Sequence, residues 1–264
     1  MITKAKHNLP VCPTTSQSTI LKPVDCEEVL RSGQKKSGVY TIWPRSRVTE
    51  DRPLEVFCDM KTDEGGWTVV QRRGNFSRPK NYFNKDWASY KKGFGDIEKD
   101  FWLGNDNIYA LTNQRLYSIR FDLTAWDGEK KYALYDTFWI DNENNKYTLH
   151  ISDYSGNAGD SMMDMFNNQI FNTRDQNNVA FKEHCVKYFL SGWWNGLMDD
   201  ICFTEANLNG EYLNGPYVNR TESLVGIAWR TFRFAESLME TEMKIRPKNF
   251  RRKRGEEDVN ELKV

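Results

Sequence analysis

Apolar and polar positions alternate in short runs along this chain, and turn formers break the runs every few residues. Residues 38–43, 54–60 and 67–73 each read as a strand. A polar, charged stretch from Pro44 to Pro53 joins the first two, and Asp63-Glu64-Gly65-Gly66 is a turn signal before the third. Ahead of them, Asp25-Cys26-Glu27-Glu28 opens a short helix. Asp25 is placed to cap it, with Glu28 as its capping-box partner. Val29 and Leu30 supply the buried side, and Gly33 stops the helix. The pattern predicts a small antiparallel unit in which Cys26 and Cys58 would tie the helix to the second strand.

From 75 to 104 the periodicity is poor and Tyr, Phe, Trp and Lys are frequent. This stretch predicts short helical turns on a packed aromatic cluster. A helix follows over 105–113, with Ile108 and Leu111 inward. Strands are predicted over 117–123, 131–140 and 147–151, with the polar turn 141–145 between the last two. These three make a central antiparallel sheet. After Ser152 regular structure thins out until 224–229 and 240–245, which read as returning strands. The stretch 153–223 has the length and irregularity of a functional region, and its aromatics and cysteines argue against disorder. Residues 1–23 read as a flexible, Pro/Thr/Ser-rich leader, 24–248 as one domain and 249–264 as a charged tail. In the tail, Arg251-Arg252-Lys253-Arg254 reads as a convertase site or as plain solvated charge.

Within the irregular region, Cys185 and Cys202 bracket Trp193-Trp194, and the Asn-rich segment 207–210 follows at once. Successive side chains of a strand point to opposite faces, so the two tryptophans predict a compact loop pinned by a disulfide. The rings either frame a cleft that Asn and Gly carbonyls and amides line, or they are core and the disulfide is a staple.

Composition narrows the function. The 264 residues hold 37 Lys+Arg and 37 Asp+Glu, so no basic excess points to nucleic acid. No run approaches a membrane span, and the first residues lack an apolar signal segment. Aromatics are 14% of the chain, enough to build a core in a polar sequence. Five cysteines without a CxxC, beside three histidines, argue against zinc and for two bridges plus an odd thiol. Cys12 in the leader is the interchain candidate. Asn75-Phe76-Ser77 and Asn219-Arg220-Thr221 match the N-glycosylation pattern, making Asn75 and Asn219 candidate acceptors. Cysteines and acceptors together predict secretion. His184 beside Cys185 is the one nucleophile-like pair weighed, and a bridged cysteine cannot serve. No G-x-S-x-G, HExxH or P-loop is present, so an enzyme is not expected.

The motifs in order complete the reading: SGVYTI (37–42), VFCDM (56–60), GGWTVVQRR (65–73), FWLGNDNIYALT (101–112), YSGNAGDSM (154–162), SGWW (191–194), NLNGEY (207–212) and TEMKIRP (241–247). By these the chain resembles the fibrinogen-related domain family, and within it the arthropod tachylectin and techylectin-type lectins. The resemblance implies an α+β, fibrinogen C-terminal domain-like fold: a small N-terminal subdomain, a central antiparallel sheet and a loop-rich C-terminal recognition subdomain. It implies disulfides Cys26–Cys58 and Cys185–Cys202. It implies a secreted homo-oligomer of innate immunity that binds glycans or other acetylated ligands on microbial or cell surfaces. The ligand-binding residues it implies are His184, Cys185, Trp193, Trp194, Phe203 and Phe234. The alternative is a non-lectin interaction domain that has lost its calcium and sugar sites.

The sequence departs from the family at the calcium loop. The positions that correspond to metal ligands are Asp175, Asn177, Phe181 and Glu183. Asn177 and Val179 stand where carboxylates are expected, and Val offers calcium no oxygen from its side chain. Calcium is the cofactor the resemblance allows, and these substitutions predict a weak or absent site unless Asp199 and Asp200 compensate. Phe203 stands where His is frequent, which keeps an aromatic face and removes a donor.

Overall fold

A computed structural model of the chain describes residues 22–48, 50, 52–178, 191–195, 204–216 and 225–250. The first helix, α1 (Cys26–Arg31), starts where the sequence places it, because the Asp25 side chain accepts from the Glu28 N–H at 3.2 Å. Glu28 does not close the expected box on Asp25. Its carboxylate accepts from the Val24 N–H at 3.0 Å, one residue further back. Asp25 is fully buried and also binds Arg115 and the Tyr117 hydroxyl, so a single carboxylate fixes both the helix and a neighbouring strand.

Strands β1 (Gly38–Ile42), β2 (Leu54–Asp59) and β3 (Trp67–Arg73) follow as predicted. The aromatic stretch forms α2 (Trp87–Lys92) and two short strands, β4 (Phe94–Gly95) and β5 (Phe101–Trp102). Next come α3 (Asn105–Gln114), β6 (Tyr117–Thr124) and β7 (Lys130–Ile140). Strand β8 runs Leu149–Gly156, not 147–151 as expected. Tyr147 cannot belong to it, because its φ of 49° is left-handed; it is pinned instead by its hydroxyl bond to Asp106, 2.6 Å. A short helix, α4 (Met163–Phe166), and the two-residue strands β9 (Ala206–Asn207) and β10 (Ala228–Trp229) precede β11 (Glu240–Pro247). The strand expected over 224–229 is therefore reduced to Ala228–Trp229, paired with Ala206–Asn207; residue 224 lies outside the described residues.

The two antiparallel units read from the sequence are one sheet. Its order is β1-β2-β3-β11-β6-β7-β8, with β5 also on β3. The C-terminal strand joins the two wings, since β11 pairs with β3 on one side and β6 on the other. Alternation explains the core: Tyr117, Ile119, Phe121 and Leu123 of β6 are buried, whereas Arg120 and Asp122 face the other way. All seven residues of β3 are buried, because both of its faces are covered. The aromatic cluster is as predicted. Tyr90 packs against Phe94, Trp102 and Phe171 at ring separations of 5.1, 5.7 and 5.3 Å, and Phe171 continues to Trp194 at 5.2 Å.

Candidate functional site

The Trp193-Trp194 segment is held to the cluster by its backbone. Trp193 and Asn172 exchange two N–H···O bonds, at 2.9 and 3.1 Å, as an isolated bridge. The Asn172 amide donates to the carbonyls of Ile170 and Asn195, and the Trp194 indole N–H donates to the Tyr147 carbonyl at 2.8 Å. Both rings have 0% exposure. The structure thus selects the core reading for these two side chains. A single bridge, not a continuous strand, lets both sides of the segment turn into packed protein. Gly192 permits this, because a Cβ there would lie 2.5 Å from the Tyr90 ring. The Trp193 indole nitrogen and the Asn195 side-chain oxygen are buried and without a hydrogen-bond partner.

The Asn-rich segment is also spent inward rather than lining a cleft. Asn207 bonds Ser191, and the Asn209 amide donates to the Gly192 carbonyl at 2.8 Å. Strand β3 then reaches across to the backbone. Gln71 Nε2 donates to Leu208 O at 2.9 Å and to Asn209 Oδ1 at 3.2 Å. Arg73 Nη1 donates to Leu208 O and Gly210 O at 3.0 and 2.8 Å. Gln71 is itself oriented by the Thr241 hydroxyl of β11. Gly210 must be glycine, since a Cβ would sit 2.0 Å from the Gly226 carbonyl oxygen. Neither Gln71 nor Arg73 was among the expected site residues. The signal was present, as two polar residues at alternate positions of a strand whose other residues are apolar on that face.

Electrostatics reinforce this clamp. Burial pulls the Arg73 guanidinium down to about 10, against Asp100 at 3.8 Å, so it stays charged at neutral pH. Burial raises the Asp100 carboxyl, with Arg73 opposing. The Arg73 guanidinium also lies 3.9 Å from the Phe83 ring centroid.

The remaining expected residues fall into two groups. Phe234 is described and 58% exposed, with the Arg230 guanidinium 5.3 Å from its ring centroid. Asp175 and Asn177 are exposed. Asp175 Oδ1 accepts from the Trp87 N–H at 2.9 Å and the Thr173 hydroxyl at 2.8 Å, so this oxygen secures the start of α2. No group of three His, Cys, Asp or Glu suited to a metal exists among the described residues, and of the four expected calcium positions Asp175 and Asn177 are described. Asn75 is exposed in the turn after β3. Cys12, Val179, Phe181, Glu183, His184, Cys185, Asp199, Asp200, Cys202, Phe203 and Asn219 lie outside the described residues. The Cys26–Cys58 disulfide is present, with Cα atoms 5.4 Å apart.

A wider groove of about 580 Å³ lies elsewhere, on the outer sheet face around Arg72, Arg120, Asp122, Glu242 and Lys244. Its buried charges are used on one another: Lys244 alone meets Asp59, Asp122 and Glu242.

Residues 22–248 match the family described as fibrinogen beta and gamma chains, C-terminal globular domain, and this chain belongs to that family. Techylectin-5A of Tachypleus tridentatus is 49% identical over 228 residues, covering 86% of this chain and 75% of that protein. A techylectin-like protein of Phoneutria nigriventer is 45% identical over 248 residues, covering 93% and 90%. The fibrinogen-like globe domain of human ANGPTL2 superposes with a TM-score of 0.75 at 35% identity, covering 86% of this chain and 99% of that one. The fold is α+β and fibrinogen C-terminal-like, and the family is non-enzymatic. Among the described residues no helix is long and apolar enough to cross a membrane.

Proposed function

We propose that this chain is a secreted, lectin-like recognition protein of innate immunity that binds acetylated carbohydrates or other acetyl groups. One observation carries the reading. The 207–210 segment is tied to Gly192, beside Trp193-Trp194, by the Asn209 amide and is clamped by Gln71 and Arg73, so this part of the C-terminal region is a fixed frame. Recognition residues set on a fixed frame lose little entropy on binding. The two techylectin relatives support a lectin-like role, and the acetyl group is what the family resemblance implies. A methyl buried on an apolar wall contributes about 0.8 kcal/mol and a hydrogen bond to the acetyl oxygen about 1 kcal/mol. These two contacts together fall short of the roughly 4 kcal/mol that a millimolar site needs, so single-site binding is weak and linked copies make it useful. Cys12 is the proposed cross-link between copies, and exposed Asn75 the accessible glycan acceptor.

Calcium has little part in this binding, because Asn177 and Val179 replace the carboxylates. The test is a titration of N-acetylglucosamine against the multimer, in calcium and then in chelator. Equal binding in both is expected. Loss on chelation removes the calcium-independent site. No binding in either buffer selects the second reading, a non-lectin interaction domain. That reading is favoured by the complete burial of Trp193 and Trp194, which leaves their rings no free face for a sugar.

A further inference from the structure

The turn between β3 and α2 gathers cations on an aromatic plate. Arg78 and Lys85 each place their charge 4.7 Å from the centroid of the Tyr82 ring. Tyr82 is held from behind by edge contacts with Phe83 and Phe94, at 5.9 and 6.0 Å, and its N–H closes a turn on Pro79 O. Exposed Lys80 lies in the same turn. Neither Arg78, Lys80 nor Lys85 has a side-chain hydrogen bond or ion pair with any described residue. The Nε of Arg78 is buried and lacks an acceptor.

Three other arginines are paired with carboxylates. Arg115 meets Asp25, Arg233 meets Asp127 and Glu129, and Arg72 meets Glu242. The carboxylates whose field reaches Arg78 are Asp96 and Asp100, and both are engaged. Asp96 pairs with Lys99 at 3.3 Å, and Asp100 accepts from the Gly74 N–H at 2.9 Å beside Arg73. Two like charges on one ring, one of them a planar guanidinium with no carboxylate partner among the described residues, can receive an oxyanion.

The turn is also fastened to the clamped segment. The Tyr212 N–H donates to the Lys80 carbonyl at 2.9 Å, and Asn81 and Asn84 share a small cavity with Asn209 and Gly210. We propose that Arg78 and Lys85 on the Tyr82 ring, with exposed Lys80 of the same turn, bind an anionic group, sulfate or carboxylate, carried by a glycan. This rests on the lectin reading only for the carrier; the anion site is argued from the cations themselves.

The test uses the full chain and three immobilised probes: a sulfated oligosaccharide, a sialylated one and a neutral N-acetylated one. Lys80→Glu with Lys85→Glu is expected to weaken binding to at least one anionic probe by about tenfold or more at low salt, with neutral-probe binding unchanged. Arg78→Gln is expected to lower the same binding several-fold. Should Arg78→Gln fail to fold, the lysine pair still decides. Lys35→Glu with Lys36→Glu, exposed lysines before β1, is the control and is expected to leave binding unchanged. Which probe responds tells sulfate from carboxylate. Absence of binding to both anionic probes overturns the proposal, as does an equal loss in the control. Failure of the neutral probe alone strikes only the acetyl reading.

Discussion

Lys244 Nζ donates to Asp59 Oδ2 at 2.7 Å, although the two residues are 185 positions apart. The ammonium has 2% side-chain exposure and also faces Asp122 at 2.6 Å and Glu242 at 3.0 Å. One cation thus joins β2, β11 and β6 across the outer face of the sheet. Burial alone would push Lys244 down, but the three carboxylates leave its pKa raised.

Replacing Lys244 with Met leaves three carboxylates together and is expected to cost about 3–5 kcal/mol, read as a shift in the urea midpoint. The acid branch carries a second signature. Burial would raise Asp59, but the charge and hydrogen bond of Lys244 hold it well below the usual carboxylate range. A folded-state pKa below the unfolded value gives stability that is complete above about pH 4 and drains as pH falls further. Asp100, raised by burial, has the opposite sign and offsets part of this slope. Asp59→Asn is expected to flatten the loss of stability between about pH 4 and pH 2. Parallel curves for the wild type and the variant would contradict the pairing.

The clamp predicts a local effect. Arg73→Lys keeps the charge but cannot present the same fork to the carbonyls of Leu208 and Gly210. A loss of about 1.5–3 kcal/mol, one charged hydrogen bond, is expected. Hydrogen exchange should quicken at the amides of 207–212 more than in β6 or β7. Uniform acceleration across the sheet would show that Arg73 supports the whole core rather than this segment.

The cysteines predict a labelling pattern. In the non-reduced protein Cys58 is expected to stay unlabelled, and Cys12 to be the reactive thiol. Cys26→Ala with Cys58→Ala should cost about 2–5 kcal/mol, because the bridge closes a separation of 32 residues. Non-reducing gels should show a dimer that Cys12→Ser removes; monomer in both lanes would leave the domain surface as the remaining route to an oligomer.

Much of the scaffold is legible in the sequence. The period of two in 117–123 and 240–245 locates β6 and β11, and Asp25 with Gly33 brackets α1. The site is less legible. Two adjacent tryptophans read equally well as the frame of a cleft or as core, because sequence shows their size and not which side is covered. Asn207 and Asn209 read as free amides, and both are consumed by Ser191, Gly192 and Gln71.

The sequence by itself determined most of the local elements and the family, because caps and alternation depend on neighbours in the chain and the motifs are read in order. The tertiary structure alone decided that the last strand sits between the two wings of the sheet, that Lys244 meets Asp59, and that Gln71 and Arg73 grip the segment at 207–210. Those contacts join residues more than a hundred positions apart. Nothing local specifies such pairs: they follow from which faces the folded sheet buries, and from the need of each buried polar group to find a partner there.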